Sequence, residues 1–307
     1  MQFIAAGIDR VALRDEGRII AEYVFRPSEP QIESPRPYLT LRTRAGIDVT
    51  AHRPADHVWH KGLSLALPAV GSHNFWGGPT YVHGEGYVQL ANNGAQVHRG
   101  LRAEGHDDEP ARITSSLTWR SQDDEPVLSE RRRITADVVD EQTWALTWES
   151  DLRNETDAPL AFGSPTSKGR ENAGYAGIFW RGPESFRGGV ITAPDGRVGD
   201  EARGRVAPWL SYAAPDRSAG VLMLNADGAF DSEPWFARSE EYAGLNPAPF
   251  FHEETVLDRG ASLTLAAVLL IGGPDVHELA ATAGAERVAR VRRSALVPSR
   301  TREKSPV

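Results

Sequence analysis

The chain contains no cysteine. That removes a disulfide framework, a thiolate nucleophile and any sulfur-ligated metal, so a metal site would have to be built from His, Asp or Glu. No apolar run approaches the ~20 residues needed to cross a bilayer. The stretch "MQFIAAGIDRVALRDEG" has neither a basic segment nor a long apolar one, which leads us to expect a cytoplasmic protein without a membrane partner. Clustered positive charge is scarce: the formal net charge is −8, the wrong sign for neutralising nucleic-acid phosphates. The one internal basic run, Arg131-Arg132-Arg133, falls in an alternating segment and reads as the solvated face of a strand. Two chemical motifs are also missing. There is no glycine-rich loop for nucleotide phosphates and no GxSxG elbow for acyl transfer.

What the sequence does have is alternation of polar and apolar residues over short runs separated by Gly, Pro, Asp and Asn, the period of half-buried strands. Segments 38–51, 63–70, 111–122, 129–154, 220–226 and 262–273 all follow it. With 307 residues, of which 40% are hydrophobic and 25% charged, the chain can bury a sizeable core. The fold class expected is all-β: a large two-sheet antiparallel β-sandwich with a C-terminal helix. Residues 1–293 are expected to form a single β-sandwich catalytic domain. Residues 294–307, polar and aperiodic, read as a flexible C-terminal tail whose removal leaves the melting temperature unchanged. The turn signal "VVDEQT" divides 129–154 into a hairpin with Trp144, Leu146 and Trp148 on one face. Residues 274–293 form the one convincing helix, with Asp275 as cap and Glu278 as its capping-box partner, expected on the edge or end of the sheets. No internal repeat is present.

Four clusters carry chemistry. "HRPADHVWHKG" (52–62) puts three of the nine histidines into one short stretch. On a strand His57 and His60 would face opposite ways, whereas on a turn they converge; Pro54 and Gly62 favour a loop. In "GSHNFWGGPTYVHGEGYV" (71–88), Trp76 and Tyr81 offer flat apolar walls for a sugar, and Asn74 or Glu85 offers hydrogen bonds. "PTSKGRENAGYAGIFWRGPESF" (165–186) collects Lys168, Arg170, Glu171, Asn172 and Tyr175 in a glycine-rich loop, where binding groups usually sit. "NPAPFFHEETVLDRG" (246–260) sets His252, Glu253 and Glu254 after a Phe pair; a carboxyl facing apolar neighbours would be raised toward the range useful for proton transfer.

These motifs, with "SPRPYL" (34–39), resemble the PmoA-like family of unknown function over nearly the whole chain. The resemblance implies a galactose-mutarotase-like β-sandwich. Methane oxygenase activity, which the family's usual label suggests, does not suit a chain with no spanning segment. The residues that match are His57, His60, Trp76, Lys168, Arg170, Glu171, Asn172 and Tyr175. The family often has a His after "RPYL", where this chain has Thr40.

The function expected is proton transfer on a sugar or keto-sugar by an epimerase, lyase or glycoside-cleaving enzyme. His57 or His60 would be paired with Glu171, Glu253 or Glu254, with Lys168 and Arg170 on the developing oxyanion. A second reading makes His57, His60 and His252 ligands of a divalent metal. A third is a non-catalytic sugar-binding module. The partner expected is a small carbohydrate, not nucleic acid; a homo-oligomer stays open.

Overall fold

The computed structural model describes residues 1–104, 109–226 and 233–295. Most of the expected tail lies outside the described residues. Two antiparallel sheets dominate. The first has eight strands, in spatial order Gln2–Ala5, Arg10–Asp15, Arg18–Val24, Tyr38–Leu41, Leu63–Ala66, Gly177–Arg181, Gly244–Pro247 and Trp235–Arg238. The second has nine, in the order Gly196–Arg197, Val190–Ala193, Trp209–Ala213, Gly220–Asn225, Ser262–Gly272, Trp144–Asn154, Pro126–Val138, Ala111–Arg120 and Ala95–Glu104. Their facing surfaces share one core in which Leu13, Tyr23, Leu39, Leu63 and Trp180 of the first sheet meet Trp119, Ile134, Leu146, Trp148 and Leu269 of the second. This is the all-β two-sheet sandwich, and alternation along each strand is what builds it. No helix among the described residues is long and apolar enough to cross a membrane.

The hairpin at 129–154 forms as its pattern predicts. Ile134 pairs with Trp148 and Ala136 with Leu146, while Asp140 Oδ1 accepts the backbone N–H groups of Gln142 and Thr143 to close the turn. The basic run corrects one expectation. Period two sends Arg131 outward and Arg132 into the core, where it is fully buried. Its charge is met by Glu130, also fully buried, at 2.7 Å. That carboxylate accepts further bonds from Trp119 Nε1 and Ser150 Oγ, and the Arg132 guanidinium lies 4.5 Å over the Trp148 ring.

Both sheets also carry an apolar layer on their outer faces. On the nine-stranded sheet Leu222, Leu224, Ala266, Val268 and Leu270 are covered by Val276, Ala280 and Val291 of the C-terminal segment. That segment therefore packs on a sheet face, not on an edge or end. It is also less regular than expected: a 3-10 turn (Val276–Leu279), a π turn (Ala280–Gly284) and then an α-helix (Ala285–Ala295). Asp275 does not cap it, because its carboxylate is engaged by Arg217 at 2.7 Å.

The outer layer on the eight-stranded sheet positions the candidate site. Along Gly177–Arg181, Ile178 and Trp180 enter the central core, and Phe179 and Arg181 point to the other side. In Trp235–Arg238, Trp235 and Ala237 are core, while Phe236 joins Trp76, Phe179, Tyr242 and Phe251 in a second apolar cluster. The strand Gly177–Arg181 is buried at every position, so "GIFW" reads as a continuous apolar run that ends on the charge of Arg181.

Candidate active site

The loop at 52–62 is pinched shut at its base by a bridge between His52 and Lys61 and by the Arg53 N–H donating to the His60 carbonyl at 2.9 Å. Two successive turns follow inside, the His57 N–H reaching the Pro54 carbonyl at 3.1 Å and the His60 N–H the His57 carbonyl at 2.9 Å. A spacing of three on turns, unlike a strand, puts both imidazoles on one side, and the rings stack with centroids 4.6 Å apart and planes within 10°. Gly62 closes the loop at φ +41; a Cβ there would sit 2.2 Å from the Leu39 carbonyl oxygen, so no larger residue fits.

Behind the stacked rings lies Arg181, 3% exposed. One guanidinium nitrogen donates to His60 Nδ1 at 3.1 Å and another to the Asp56 carboxylate at 2.8 and 2.9 Å. The guanidinium also rests 4.1 Å over the Tyr242 ring. Asp56 is shared, since its Oδ2 lies 2.9 Å from His57 Nδ1. Arginine only donates, so His60 Nδ1 must accept and its proton sits on Nε2. A carboxylate only accepts, so His57 carries its proton on Nδ1 and leaves a lone pair on Nε2. The two stacked rings thus hold opposite tautomers. Burial, followed by the repulsion His57 exerts when it is itself protonated and by the Arg181 guanidinium, pushes the His60 imidazole far below its ordinary value. Burial works against ionised Asp56, but hydrogen bonds from His57 and Arg181 overcome it and hold the carboxyl below the usual range.

Lys61 points away from this group. It is fully buried and bound to Glu33 at 2.5 Å. The same carboxylate also takes a two-pronged contact from Arg53 at 2.7 and 3.0 Å.

His57 and His60 line a cavity of about 350 Å³. Its walls are aromatic: Trp59, Trp76, Tyr175, Phe236 and Tyr242. Arg170, Arg238, Glu241 and Tyr87 add the polar part of the lining, with Gly77 and Pro79 beside them. Trp76 meets His60 edge-on at 5.6 Å and Tyr175 at 4.5 Å. Burial raises the Tyr242 hydroxyl to about 12 and the Tyr175 hydroxyl well above its ordinary value. The Tyr175 hydroxyl also lies 2.7 Å from that of Tyr87. Gly77 and Gly78 let the chain pass under Trp59, since a Cβ on either would come within 2.8 Å of that side chain. A smaller cavity of about 220 Å³ adjoins, sharing Trp76, Pro79 and Tyr175 and adding His73, Tyr81 and Lys168.

The other expected residues are placed differently. Asn74 is buried and spent on structure: its Oδ1 accepts the backbone N–H groups of Trp76 and Gly77, and its Nδ2 donates to the Gly78 carbonyl and Thr80. Glu85 and Glu171 are exposed, and neither lines the cavity. Asn172 is exposed at φ +52, a turn conformation that Asn tolerates. Glu254 pairs with Lys168. That contact keeps both out of the larger cavity, while Glu253 is exposed. The 246–254 loop lines neither cavity. It contributes Phe251 to the apolar cluster behind them, with Gly174 against the Phe251 ring. His252 is exposed beside that ring at 4.6 Å.

The three histidines therefore do not assemble as metal ligands. His60 Nδ1 is taken by a guanidinium and His57 Nδ1 by Asp56. Among the described residues no group of three or more His, Cys, Asp or Glu is arranged to hold a metal ion. Thr40 sits mid-strand opposite Glu22, away from the cavity lining. The residues that sequence reasoning missed are Arg181 and the Phe236–Tyr242 segment. Arg181 closes the quoted "GIFWRG", where a charge ending a wholly apolar run was the available signal. Phe236, Arg238, Glu241 and Tyr242 had none.

Three solved structures are similar in part. A mutant heparan sulfate lyase from Pedobacter heparinus aligns at 8% identity and a TM-score of 0.44, covering 89% of this chain and 37% of its own. A polysaccharide lyase aligns at 14% and 0.38, covering 90% and 35%. A protein described as an aldose 1-epimerase from Klebsiella pneumoniae aligns at 11% and 0.33, covering 62% and 58%. This chain thus spans about a third of the two lyases, and likenesses this low say nothing of what it acts on. Among curated proteins no sequence matches. The motif resemblance pointed to a PmoA-like family; the family model that matches residues 10–284 is described only as one of unknown function and carries no methane oxygenase label. On that match, which spans most of the chain, the protein belongs to the family of unknown function DUF6807.

Proposed function

We propose that this protein is a carbohydrate-active enzyme that moves a proton at a carbon next to a carbonyl group of a sugar or keto-sugar, as an epimerase or lyase does. The observation that carries this is the pair of stacked imidazoles held in opposite tautomers by Asp56 and Arg181 at the wall of an aromatic cavity. His57, with its lone pair on Nε2, is the general base. It takes the proton from the C–H bond, and Asp56 stabilises the imidazolium that forms. The bonding electrons pass to the carbonyl oxygen as an enediolate. His60 stays neutral at pH 7 and donates its Nε2–H to that oxygen, polarised by the guanidinium on Nδ1. The planar enediolate then turns over in the cavity and His57 returns its proton to the opposite face of that carbon, giving the epimer; in a lyase a group on the adjacent carbon departs instead as the electrons move back, and His57 gives its proton to the leaving oxygen. The aromatic walls offer flat apolar surfaces to the C–H faces of the sugar, and a volume of about 350 Å³ is at the small end of ligand pockets. Glycoside cleavage is the less favoured outcome. It relies on two carboxylates flanking the scissile bond, and among the described residues Glu241 is the one carboxylate in the lining.

Incubation in deuterated water with a panel of sugars and 3-keto-sugars, followed by NMR, tests this reading. Wild type should exchange one carbon-bound hydrogen of a panel member, and His57→Gln should slow that exchange on the order of a hundredfold or more. Exchange that persists unchanged in both His57→Gln and His60→Gln would remove the assignment.

A further inference from the structure

The larger cavity carries more positive than negative charge. Among the described residues its lining holds two guanidinium groups, Arg170 and Arg238, against one carboxylate, Glu241, in a chain whose formal net charge is −8. His60 adds none, because burial and the neighbouring charges keep it neutral. The Arg181 charge behind the wall is already matched by Asp56.

Arg238 is a fixed cation. Its side chain is 15% exposed, and its guanidinium lies 5.6 Å from the Tyr242 ring and 5.7 Å from the Phe236 ring, both walls of the cavity. Its carboxylate partner, Glu241, is by contrast 67% exposed and three residues along the same turn. Such a pair costs little to open. Arg170 is held over the Tyr87 ring at 4.6 Å with one nitrogen on the Tyr87 hydroxyl. No carboxylate among the described residues is within ion-pair distance of it. A planar guanidinium fixed by aromatic faces, lightly covered by a movable carboxylate, matches the geometry of a carboxylate ligand.

We propose that the sugar taken by this cavity is an acidic one, a uronate, whose carboxylate displaces Glu241 from Arg238 and is held by Arg238 with Arg170. This rests on the cavity being the sugar site of the preceding proposal and names the substrate class for it. Neutralising a carboxylate attached to the carbon that loses its proton also lowers the cost of the negative charge that develops there. That gives Arg238 a use in the reaction besides binding.

Titration calorimetry separates this proposal from the proton-transfer mechanism, because it reads binding alone. The probes are glucuronate against glucose, galacturonate against galactose, and glucose 6-phosphate. At least one uronate should bind about tenfold more tightly than its neutral parent, ~1.4 kcal/mol. Arg238→Gln and Arg170→Gln should each erode that preference. Glu241→Gln, which removes the carboxylate that competes for Arg238, should tighten the acid by a larger factor than it changes binding of the neutral parent. Equal binding of every acid and its parent overturns the proposal, as does absence of binding by both uronates. A preference that survives both arginine replacements, or the phosphate binding more tightly than either uronate, overturns it as well. Any of these leaves the roles of His57 and His60 to the exchange experiment.

Discussion

At the scale of single residues, the opposite tautomers of His57 and His60 are the most direct consequence of the geometry. Ring nitrogen shifts measured by 15N NMR in alkaline buffer should report a proton on Nδ1 of His57 and on Nε2 of His60. Arg181→Leu removes the donor that fixes His60, and that ring should then populate both tautomers; a His60 spectrum identical to wild type would show that Arg181 does not set it. Gly78 makes a second residue-level case. It sits at φ +66, and a Cβ would lie 2.8 Å from the Trp59 indole. Gly78→Ala should therefore cost about 1–2 kcal/mol for the left-handed backbone and also displace Trp59. Urea denaturation reads the first effect and tryptophan fluorescence the second. An unchanged denaturation midpoint would mean that the backbone relaxes freely there.

Between neighbouring positions of one strand, the alternation of the sheet makes sharply different forecasts. Arg132 and Glu130 are both fully buried and bound to one another. Arg132→Leu leaves the carboxylate uncompensated in the core and should destabilise the protein by about 3–5 kcal/mol. Arg131→Ala, one residue away on the exposed face, should change stability by less than ~0.5 kcal/mol. Thermal or chemical denaturation of the two variants side by side checks the contrast, and equal effects would contradict the register assigned to this hairpin. The run Arg131-Arg132-Arg133 shows why the sequence left this unread. Three like charges suggest a wet face; Glu130 sits two residues away on the same strand, but only other strands of the sheet supply the Gln96 and Trp148 contacts that, with it, make the middle one tolerable inside.

Across the whole molecule, buried neutral histidines make stability depend on pH. Burial, complete at His60 and partial at His73 and His98, lowers the pKa of all three, with added repulsion from neighbouring charges at His60 and from Arg26 at His98. In the unfolded chain each takes up its proton near the ordinary value of about 6.5. Below that pH the unfolded state binds more protons than the native one, so stability falls with acidification and is flat in this respect above it. The melting temperature should thus drop as pH is lowered from 7.5 to 5.5, and His60→Gln should flatten the drop. Glu33 and Asp56 are held below the usual carboxylate range by their basic partners despite burial, and they add a loss in the same direction only at lower pH, below about 4.5. A melting temperature that stays level or rises between 7.5 and 5.5 would show that His60 is not held neutral in the fold.

The sequence by itself determined the sheets. Period-two alternation between turn residues sorts side chains into inward and outward sets whatever the rest of the chain does, so the antiparallel strands, the 129–154 hairpin and the Trp144, Leu146 and Trp148 face were legible. The convergence of His57 and His60 was legible as one of two options, because proline and glycine at the ends of a short loop favour turns over a strand. Only the tertiary structure decided what surrounds them. Arg181 comes from a strand far along the chain and acts on His60 because the first sheet places Gly177–Arg181 beside Leu63–Ala66. The Phe236–Tyr242 wall arrives through Gly244–Pro247, the next strand over. The carboxylates at 253 and 254 carry the right chemistry in the sequence, but the fold leaves one exposed and spends the other on Lys168. A local pattern reports which way a side chain leaves its own strand; which charges and rings it meets is set by long-range pairing, and that is where this site is made.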